Sequence, residues 1–466
     1  MKARIRKREE PKGHKRGISK TGIHGSNQHE KLKMNWDEDI ESLSSDDDNP
    51  RGGKGQEHFD SDDDNNKETA NEKRVRLAKE YLKDIQQESV DDLTTGEMGA
   101  DSFGVVSETL RRDRLSLQKK LMKGYSRCVS ELDISSLSIS RYGGHDQAVT
   151  TVTLSADATF AVSGSKDNSL IRWDTETGAK TYMISRWRRS DECMRMQEAE
   201  VLATAITTDG KYCAAGGRNG LIHVFDLRTN SVVKVFEGHR DTVSSLAFKQ
   251  DSYSLYSGSF DRCIKHWDLN EMGYLETLFG HQESVFSLDL WNKERPVSSS
   301  GDRTVRLWNT IADTHLVFKG HLGGVDNVQM LTDETFVSGG QDGTLCLWKE
   351  TQKRPIASVD NAHGFCLGTT NSRWISSLCA VKMSDLVLSG SNDGFLRFWS
   401  VGKPDGRTKL DEVLAIPVPG FINAISVSKQ VVALGTGREH KFGRWWCEKG
   451  NKNKVFFIKI PLEDHA

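Results

Sequence analysis

Histidine, serine and aspartate recur together along this chain of 466 residues, and these residue types can build a hydrolytic catalytic triad. In five copies the serine stands four residues before the aspartate, and a tryptophan follows six residues after it. The sets are His145, Ser163, Asp167 and Trp173; His239, Ser257, Asp261 and Trp267; His281, Ser298, Asp302 and Trp308; His321, Ser338, Asp342 and Trp348; and His363, Ser389, Asp393 and Trp399. Because one catalytic site does not occur five times in a chain, we interpret them as buried, hydrogen-bonded structural tetrads.

The spacing of the tetrads indicates the elements that position them. Each copy begins with Gly-His or Ala-His and recurs after about 40 residues, which is the signature of four-stranded propeller blades. Short apolar runs such as Val149–Leu154, Phe160–Ser163 and Leu170–Trp173 predict the strands. Since one twisted blade cannot cover both of its faces, neighbouring blades must stack and close a ring.

Two irregular copies bring the predicted number of blades to seven. Residues Val201–Asp226 form a blade without a tetrad, with Asn219 at the aspartate position and Phe225 at the tryptophan position. The last copy, Phe421–Pro461, supplies only three strands. They are Ala424–Ser428, Val431–Thr436 and Val455–Ile460. We therefore predict that Ser136–Tyr142 adds the missing outer strand, which closes the ring and removes exposed sheet edges.

These patterns divide the chain into three parts. Residues 1–66 read as a disordered, basic-then-acidic tail, residues 67–135 as a helical N-terminal extension, and residues 136–461 as an all-β, seven-bladed propeller. The extension contains two candidate helices, at residues 69–87 and 107–123. Two basic clusters in the tail fit a nuclear-import signal, a nucleic-acid arm or a solvated segment, and we expect a nuclear protein.

Composition narrows the function classes. The net charge is −2, and the eight cysteines include no C-x-x-C pair, so neither a disulfide framework nor a zinc site is expected. No apolar stretch approaches the length of a membrane span, and the charged start is unlike a secretion signal. We find no glycine-rich phosphate loop, metal cluster or paired catalytic carboxylates, and we expect no enzyme, metal or cofactor.

Three long insertions interrupt the repeat, and each combines Arg or Lys with an aromatic residue. They are Ser185–Ala199, Gly364–Trp374 and Arg438–Lys454, in loops that a propeller presents on one face. Their candidate RNA-binding residues are Arg438, Lys441, Arg444, Trp445, Trp446, Lys449, Lys452, Lys454, Arg186, Trp187, Arg188, Arg189, Arg373 and Trp374. Cations neutralise phosphates, while Trp and Arg planes stack on unpaired bases.

Other readings of these loops stay open. Trp445 and Trp446 could plug the ring beneath their loop, and the same arginines could bind an acidic peptide in a protein-only WD-repeat scaffold or adaptor. Both RNA and acidic peptides would bind electrostatically, so salt dependence alone does not separate them.

From about residue 68 onwards, the chain resembles one family. The resemblance lies in the run Glu68–Leu82, in Ser257–Arg262 and in Pro419–Asn423, together with the order of regular and irregular blades. These stretches are similar to those of WD-repeat proteins that associate with the U3 small nucleolar RNA. The Gly-His and Trp-Asp marks alone would indicate only the large WD-repeat class.

The resemblance implies a nucleolar, non-enzymatic component of the U3 ribonucleoprotein within the small-subunit processome, acting in pre-rRNA processing. It also implies recognition of the box B/C region of the U3 RNA together with a small kink-turn-binding protein. We carry RNA contact only onto the aromatic and basic loops named above, chiefly Arg438–Lys454.

Overall fold

The computed structural model is a seven-bladed β-propeller, as predicted. It describes residues 122–134, 137–184, 200–366, 371–402, 407–444, 447 and 450–460. Seven four-stranded antiparallel sheets follow one another, and the first strands of consecutive blades pack in order until that of the last blade meets that of the first. The tail, the helix predicted at 69–87 and all but the end of the helix predicted at 107–123 lie outside the described residues.

The strand bounds of the first four blades follow the sequence repeat. Blade 1 contains β2 (Val149–Leu154), β3 (Phe160–Ser165), β4 (Leu170–Asp174) and β5 (Lys180–Ile184). Blade 2 contains β6 (Val201–Ile206), β7 (Tyr212–Gly217), β8 (Ile222–Asp226) and β9 (Ser231–Phe236). Blade 3 contains β10 (Val243–Phe248), β11 (Ser254–Ser259), β12 (Cys263–Asp268) and β13 (Gly273–Phe279). Blade 4 contains β14 (Val285–Asp289), β15 (Val297–Ser300), β16 (Thr304–Asn309) and β17 (Thr314–Lys319).

The last three blades include the ring closure. Blade 5 contains β18 (Val325–Met330), β19 (Thr335–Gly340), β20 (Leu345–Lys349) and β21 (Gln352–Val359). Blade 6 contains β22 (Ser377–Ala380), β23 (Leu386–Gly390), β24 (Phe395–Gly402) and β25 (Lys409–Pro417). Blade 7 contains β26 (Phe421–Ser428), β27 (Val431–Gly437), β28 (Lys454–Lys459) and, as its outer strand, β1 (Ser138–Tyr142).

The N-terminal strand closes the ring, which confirms the prediction. Strand β1 pairs antiparallel with β28, from Ser138 opposite Lys459 to Tyr142 opposite Val455. The Tyr142 ring also packs 6.1 Å from Trp173 and 5.7 Å from Phe457, so this strand joins the cores of the first and last blades. With β1 in place, the last blade has four strands like the others, and β28 no longer presents an unpaired sheet edge.

The core consists of apolar layers between neighbouring blades. Between blades 7 and 1, for example, Val149 and Trp173 pack with Val431 and Phe457. Most residues of the inner strands are buried, because both faces of each sheet pack against a neighbouring sheet. A channel of about 540 Å³ remains along the axis, lined by the first strands of all seven blades.

The tetrads form hydrogen-bonded chains that tie loops to strands. In blade 3, Trp267 Nε1 donates to Ser257 Oγ at 2.8 Å, and His239 lies 2.8 Å from both Ser257 Oγ and Asp261 Oδ2. The sets in blades 4 and 6 have the same pattern, with His–Asp distances of 3.0 and 2.8 Å. In blade 5 this distance is 3.3 Å.

Blade 1 differs from the other four sets. His145 Nδ1 is 3.7 Å from Asp167 Oδ1, and Ser169 bridges them, with its hydroxyl 2.6 Å from His145 Nδ1 and donating to Asp167. Ser169 therefore supplies the link that the histidine makes directly in the other blades.

Hydrogen bonding keeps the tetrad aspartates ionised. Burial alone would raise the pKa of Asp261, but the hydrogen bond and charge of His239 and the backbone N–H groups of Arg240 and Cys263 lower it to about 2. The carboxylate therefore stays charged and holds both the histidine and the start of the following loop.

The end of the N-terminal extension docks on the ring. Lys123 forms a parallel bridge with Ser384, and the short helix α1 (Ser126–Ser130) follows. Asp385 Oδ1 accepts hydrogen bonds from the backbone N–H groups of Tyr125 (2.8 Å) and Ser126 (3.1 Å), while Val129 is fully buried. Because the β22–β23 loop is at the opposite end of the blade from the tetrads, this segment lies on the other face. Among the described residues, the structure contains no helix with the length and apolarity to cross a membrane.

Candidate nucleic-acid interface

The β27–β28 connection, residues 438–453, is hereafter the last-blade loop. Its base is tied together because Arg438 Nε donates to Asn451 O at 2.6 Å and Arg438 N donates to Asn453 Oδ1 at 3.1 Å. An isolated antiparallel bridge between Glu439 and Cys447 adds a second tie. The loop leaves the face that carries the tetrad loops, since both connect strands at the same end of a blade.

Three residues of this loop, His440, Lys441 and Phe442, turn inward and cover the mouth of the channel, and we call them the channel plug. The Phe442 ring lies 5.5 Å from both Phe260 of blade 3 and Phe286 of blade 4. His440 is buried and packs edge-to-face against Trp374 at 6.0 Å. The loop of the last blade thus contacts three other blades across the axis.

Lys441 extends this plug into blade 5. Its Nζ donates to Asn327 Oδ1 at 3.1 Å, beside the buried carboxyl group of Asp326. Burial lowers the pKa of Lys441 to about 8, although the charge of Asp326 acts in the opposite direction. Burial likewise raises the pKa of Asp326 to about 6. Lys441 was included among the RNA-binding cations, but its ammonium group faces the channel rather than the surface.

Lys166 of blade 1 fixes the outer side of the loop. Its Nζ donates to the carbonyl oxygens of His440 (2.6 Å) and Gly443 (3.0 Å), and it lies 3.6 Å from Glu439 Oε1. Burial lowers the pKa of Lys166, while the neighbouring carboxylates of Glu439 and Glu200 oppose that effect. The last-blade loop is therefore held from both sides, by blade 1 and by blade 5.

Arg444 lies at the rim, where its side chain is 63% exposed. Its Nη2 donates to Gln147 Oε1 at 2.8 Å and is 3.8 Å from Glu200 Oε1. Glu200 also pairs with Arg218 of blade 2, whose side chain is 65% exposed, at 3.2 Å. Two guanidinium groups from different blades thus meet around one carboxylate.

The predicted residues do not all share one environment. Arg438, Arg444 and Lys452 are exposed, whereas Lys454 is partly buried as the first residue of β28. In the Gly364–Trp374 insertion, Arg373 Nε donates to Phe365 O at 3.0 Å and Trp374 is 37% exposed. The remaining candidates, Arg186, Trp187, Arg188, Arg189, Trp445, Trp446 and Lys449, lie outside the described residues.

The structure adds cations that were not singled out in the sequence, Lys166 and Arg218. Each precedes the tetrad aspartate or its substitute, Asp167 or Asn219, in the loop between the second and third strands. The equivalent residue in blade 3 is Phe260, which contacts the channel plug. This position borders the last-blade loop in all three blades, because Lys166 and Phe260 contact that loop and Arg218 shares a cavity with Arg444. The sequence shows that it carries a cation in blades 1 and 2, but not which partners those cations have.

The described part of this surface offers positive charge and planar guanidinium groups. No cluster of three or more His, Cys, Asp or Glu side chains suited to a metal ion is present in the part of the chain that the structure describes. The exposed guanidinium groups can bind phosphate or stack on a base, and the loop that carries Arg438 and Arg444 is fixed before any ligand arrives.

Comparisons with known proteins agree with this architecture. The family model of the WD domain, G-beta repeat, matches residues 136–174, 230–268, 273–309, 313–349 and 364–400. The human U3 small nucleolar RNA-interacting protein 2 is 35% identical over 408 residues, covering 86% of this chain and 84% of that protein. The chain belongs to the family of U3 small nucleolar RNA-interacting WD-repeat proteins.

Further relatives extend this family across eukaryotes. Ribosomal RNA-processing protein 9 of Saccharomyces cerevisiae is 24% identical over 513 aligned positions, covering 84% of this chain and 89% of that protein. The solved structure of U3-55K superposes with a TM-score of 0.65 at 37% identity, covering 69% of this chain and 98% of that one. U3-55K thus has the same propeller fold as the one described above.

Proposed function

We propose that this protein is a non-enzymatic, RNA-binding subunit of the U3 small nucleolar ribonucleoprotein that acts in pre-rRNA processing in the nucleolus. Its family includes proteins named for interaction with the U3 RNA and for ribosomal RNA processing. The observation that carries the proposal is the last-blade loop, which is anchored at blades 1 and 5 and exposes Arg438, Arg444 and Lys452.

The last-blade loop is preorganised for binding over its described residues 438–444. A loop that must become ordered on binding loses part of its interaction energy to conformational entropy, whereas a fixed loop does not. The plug and Lys166 hold this loop before RNA arrives, and the sequence places Trp445 and Trp446 directly after Arg444. Cations can then bind phosphates while aromatic planes stack on unpaired bases.

The proposal includes specific partners. Family resemblance supports the box B/C region of the U3 RNA as the ligand, bound together with a kink-turn-binding protein, and small-subunit processome proteins as neighbours. The last-blade loop and the Gly364–Trp374 insertion contact each other through His440 and Trp374. This contact supports one docking face shared by the two loops.

Two variants test the proposal. One removes the exposed cations (R438A/R444A/K452A), and the other removes the neighbouring indoles (W445A/W446A). A matched control, K234A/K353A/R354A, removes three exposed cations from the outermost strands β9 and β21. We expect both test variants to lower recovery of the U3 RNA in a pull-down from cells at least tenfold. The indole variant loses base stacking, at about 1–3 kcal/mol per base, and the cation variant loses phosphate contacts.

The cation variant also has a quantitative signature in vitro. Loss of three phosphate contacts to single-stranded RNA should reduce the slope of log affinity against log salt concentration by about 2. Unchanged recovery of the U3 RNA with both test variants would reject the proposal. Recovery of acidic peptides without RNA would favour the protein-only adaptor instead.

A further inference from the structure

A cavity of about 380 Å³ opens beside the last-blade loop, between that loop and blades 1 and 2. It is lined by Lys166, Glu200, Arg218, Phe442, Gly443 and Arg444. The Lys166 ammonium group already donates hydrogen bonds to the loop carbonyl groups described above. The groups that can meet a ligand are therefore one carboxylate and two largely exposed guanidinium groups.

The position of the carboxylate is unusual for a phosphate site. Glu200 Oε2 accepts a hydrogen bond from Arg218 Nη1 at 3.2 Å, and Oε1 lies 3.8 Å from Arg444 Nη2, beyond hydrogen-bonding distance. The Glu200 side chain is 22% exposed, so it is fixed in place but still reaches the cavity. A carboxylate repels a phosphate, but it accepts hydrogen bonds from the amino groups of nucleobases.

We propose that this cavity is a base-reading pocket, which accepts one unpaired nucleobase bearing an exocyclic amino group and disfavours uracil. The inference rests on the proposed function and assigns it a ligand class. Arg218 and Arg444 supply planes on which a base can stack, and Glu200 accepts from the amino group of adenine, cytosine or guanine.

Uracil fits this arrangement poorly. It has no exocyclic amino group, and its N3–H lies between two carbonyl oxygens. A carboxylate that reaches this recessed N–H must approach one of the two oxygens, which repels it, whereas an exocyclic amino group projects beyond the ring nitrogen next to it. Phe442 cannot move aside to relieve this, because its ring is packed against Phe260 and Phe286.

The competing explanation is an internal ion pair. In that case Glu200 only neutralises Arg218 and Arg444, and its removal would strengthen binding to any phosphate backbone, chiefly through Arg218, because Glu439 still lies 3.7 Å from Arg444 Nε. The two explanations differ in base selectivity, which makes Glu200→Gln the informative change. The carboxamide keeps the shape but can both donate and accept, so it no longer rejects uracil.

The test measures binding of the full chain to 12-nucleotide oligoadenylate, oligocytidylate and oligouridylate by fluorescence anisotropy at one salt concentration. We expect the wild-type chain to bind the first two roughly tenfold more tightly than oligouridylate. In E200Q the difference should shrink to about twofold. The matched control E334Q removes a carboxylate that pairs with Lys349 at 3.8 Å outside this pocket, and it should behave like the wild type.

Each result decides between the explanations. A wild-type chain that binds all three oligonucleotides equally overturns the pocket, even if the variant does not fold. So does an E200Q variant whose affinity rises by the same factor for all three. If the wild-type chain binds U3 RNA but binds the three oligonucleotides equally, only this inference fails. If it binds no RNA at all, both the proposed function and the base-reading pocket are wrong.

Discussion

Individual residues of blade 2 show how a tetrad can be lost without damage. Ala215 replaces the serine and Phe225 replaces the tryptophan, so neither a hydroxyl nor an indole N–H is left buried without its partner. Replacing both partners of a hydrogen bond by apolar groups is far less costly than removing one. One buried polar side chain of this blade does lack a hydrogen-bond partner among the described residues, namely His223, which lies in β8 with Phe225 and is not a tetrad residue.

His223 should make the protein sensitive to mild acid. It is 1% exposed, and neither ring nitrogen has a hydrogen-bond partner among the described residues. Burial lowers its pKa to about 4, so the folded state holds the neutral ring while the unfolded state takes up a proton below about pH 6.5. Its contribution is therefore present above pH 6.5 and is lost as the pH falls towards 4. We expect about 2 kcal/mol of stability to be lost between pH 7 and pH 5 through this residue.

Substitution of His223 by Leu measures this effect. Urea unfolding of H223L should show about 2 kcal/mol less stability loss between pH 7 and pH 5 than the wild type. His58 belongs to the tail outside the propeller by our division of the chain, and H58L should follow the wild type. Equal pH dependence for H223L and the wild type would contradict the assignment.

The sequence predicts residues that recur as a set at fixed spacing, but it does not predict contacts between residues that are far apart in the chain. The tetrads could be recognised because the same four residues recur at fixed spacing. The inward direction of Lys441 could not, because it depends on Asp326 and Asn327, more than a hundred positions earlier in the chain. Lys166 was missed for the same reason, since its partners are carbonyl oxygens of the last-blade loop.

Among the elements, the last-blade loop combines a buried half with an exposed half. Its sequence predicted an RNA-binding segment and, as an alternative, a ring plug formed by Trp445 and Trp446, which lie outside the described residues. The structure places three other residues, His440 to Phe442, in the channel mouth, and it leaves Arg438 and Arg444 exposed at the surface. The plug sets the position of the exposed cations because they flank it directly in the chain.

Removal of the Phe442 ring tests this coupling. F442A deletes the contacts with Phe260 and Phe286, and we expect faster hydrogen–deuterium exchange across residues 438–444 together with weaker U3 RNA binding. Phe395, which is 40% exposed on blade 6, provides the control F395A. If F442A bound the RNA as tightly as F395A, the plug would have no part in presenting the cations.

For the whole molecule, we expect closure of the propeller by β1 to contribute strongly to stability. The sequence predicted this strand and the seven blades because irregular copies and a missing strand can be counted. It predicted the start of β1 at Ser136, and the structure begins it at Ser138, since strand ends depend on pairing with Lys459.

Truncation separates the two N-terminal contacts. A chain from residue 122 keeps α1 and β1, one from residue 137 keeps only β1, and one from residue 143 keeps neither. We expect the first two to remain monomeric in analytical ultracentrifugation, and the third to self-associate and unfold at lower temperature because β28 presents an open edge. A monomeric chain from residue 143 with unchanged melting would show that closure is dispensable.

The same pairing has a consequence for biosynthesis. Strand β1 leaves the ribosome before any blade is made, whereas its partner β28 emerges only after all strands of the other six blades. Until β28 is synthesised, β1 has no strand to pair with, and the first six blades can be complete while the seventh is not. We therefore expect a nascent polypeptide stalled before Lys454 to carry an unpaired strand β1 and an incomplete seventh blade, and to aggregate more readily than one that includes β28.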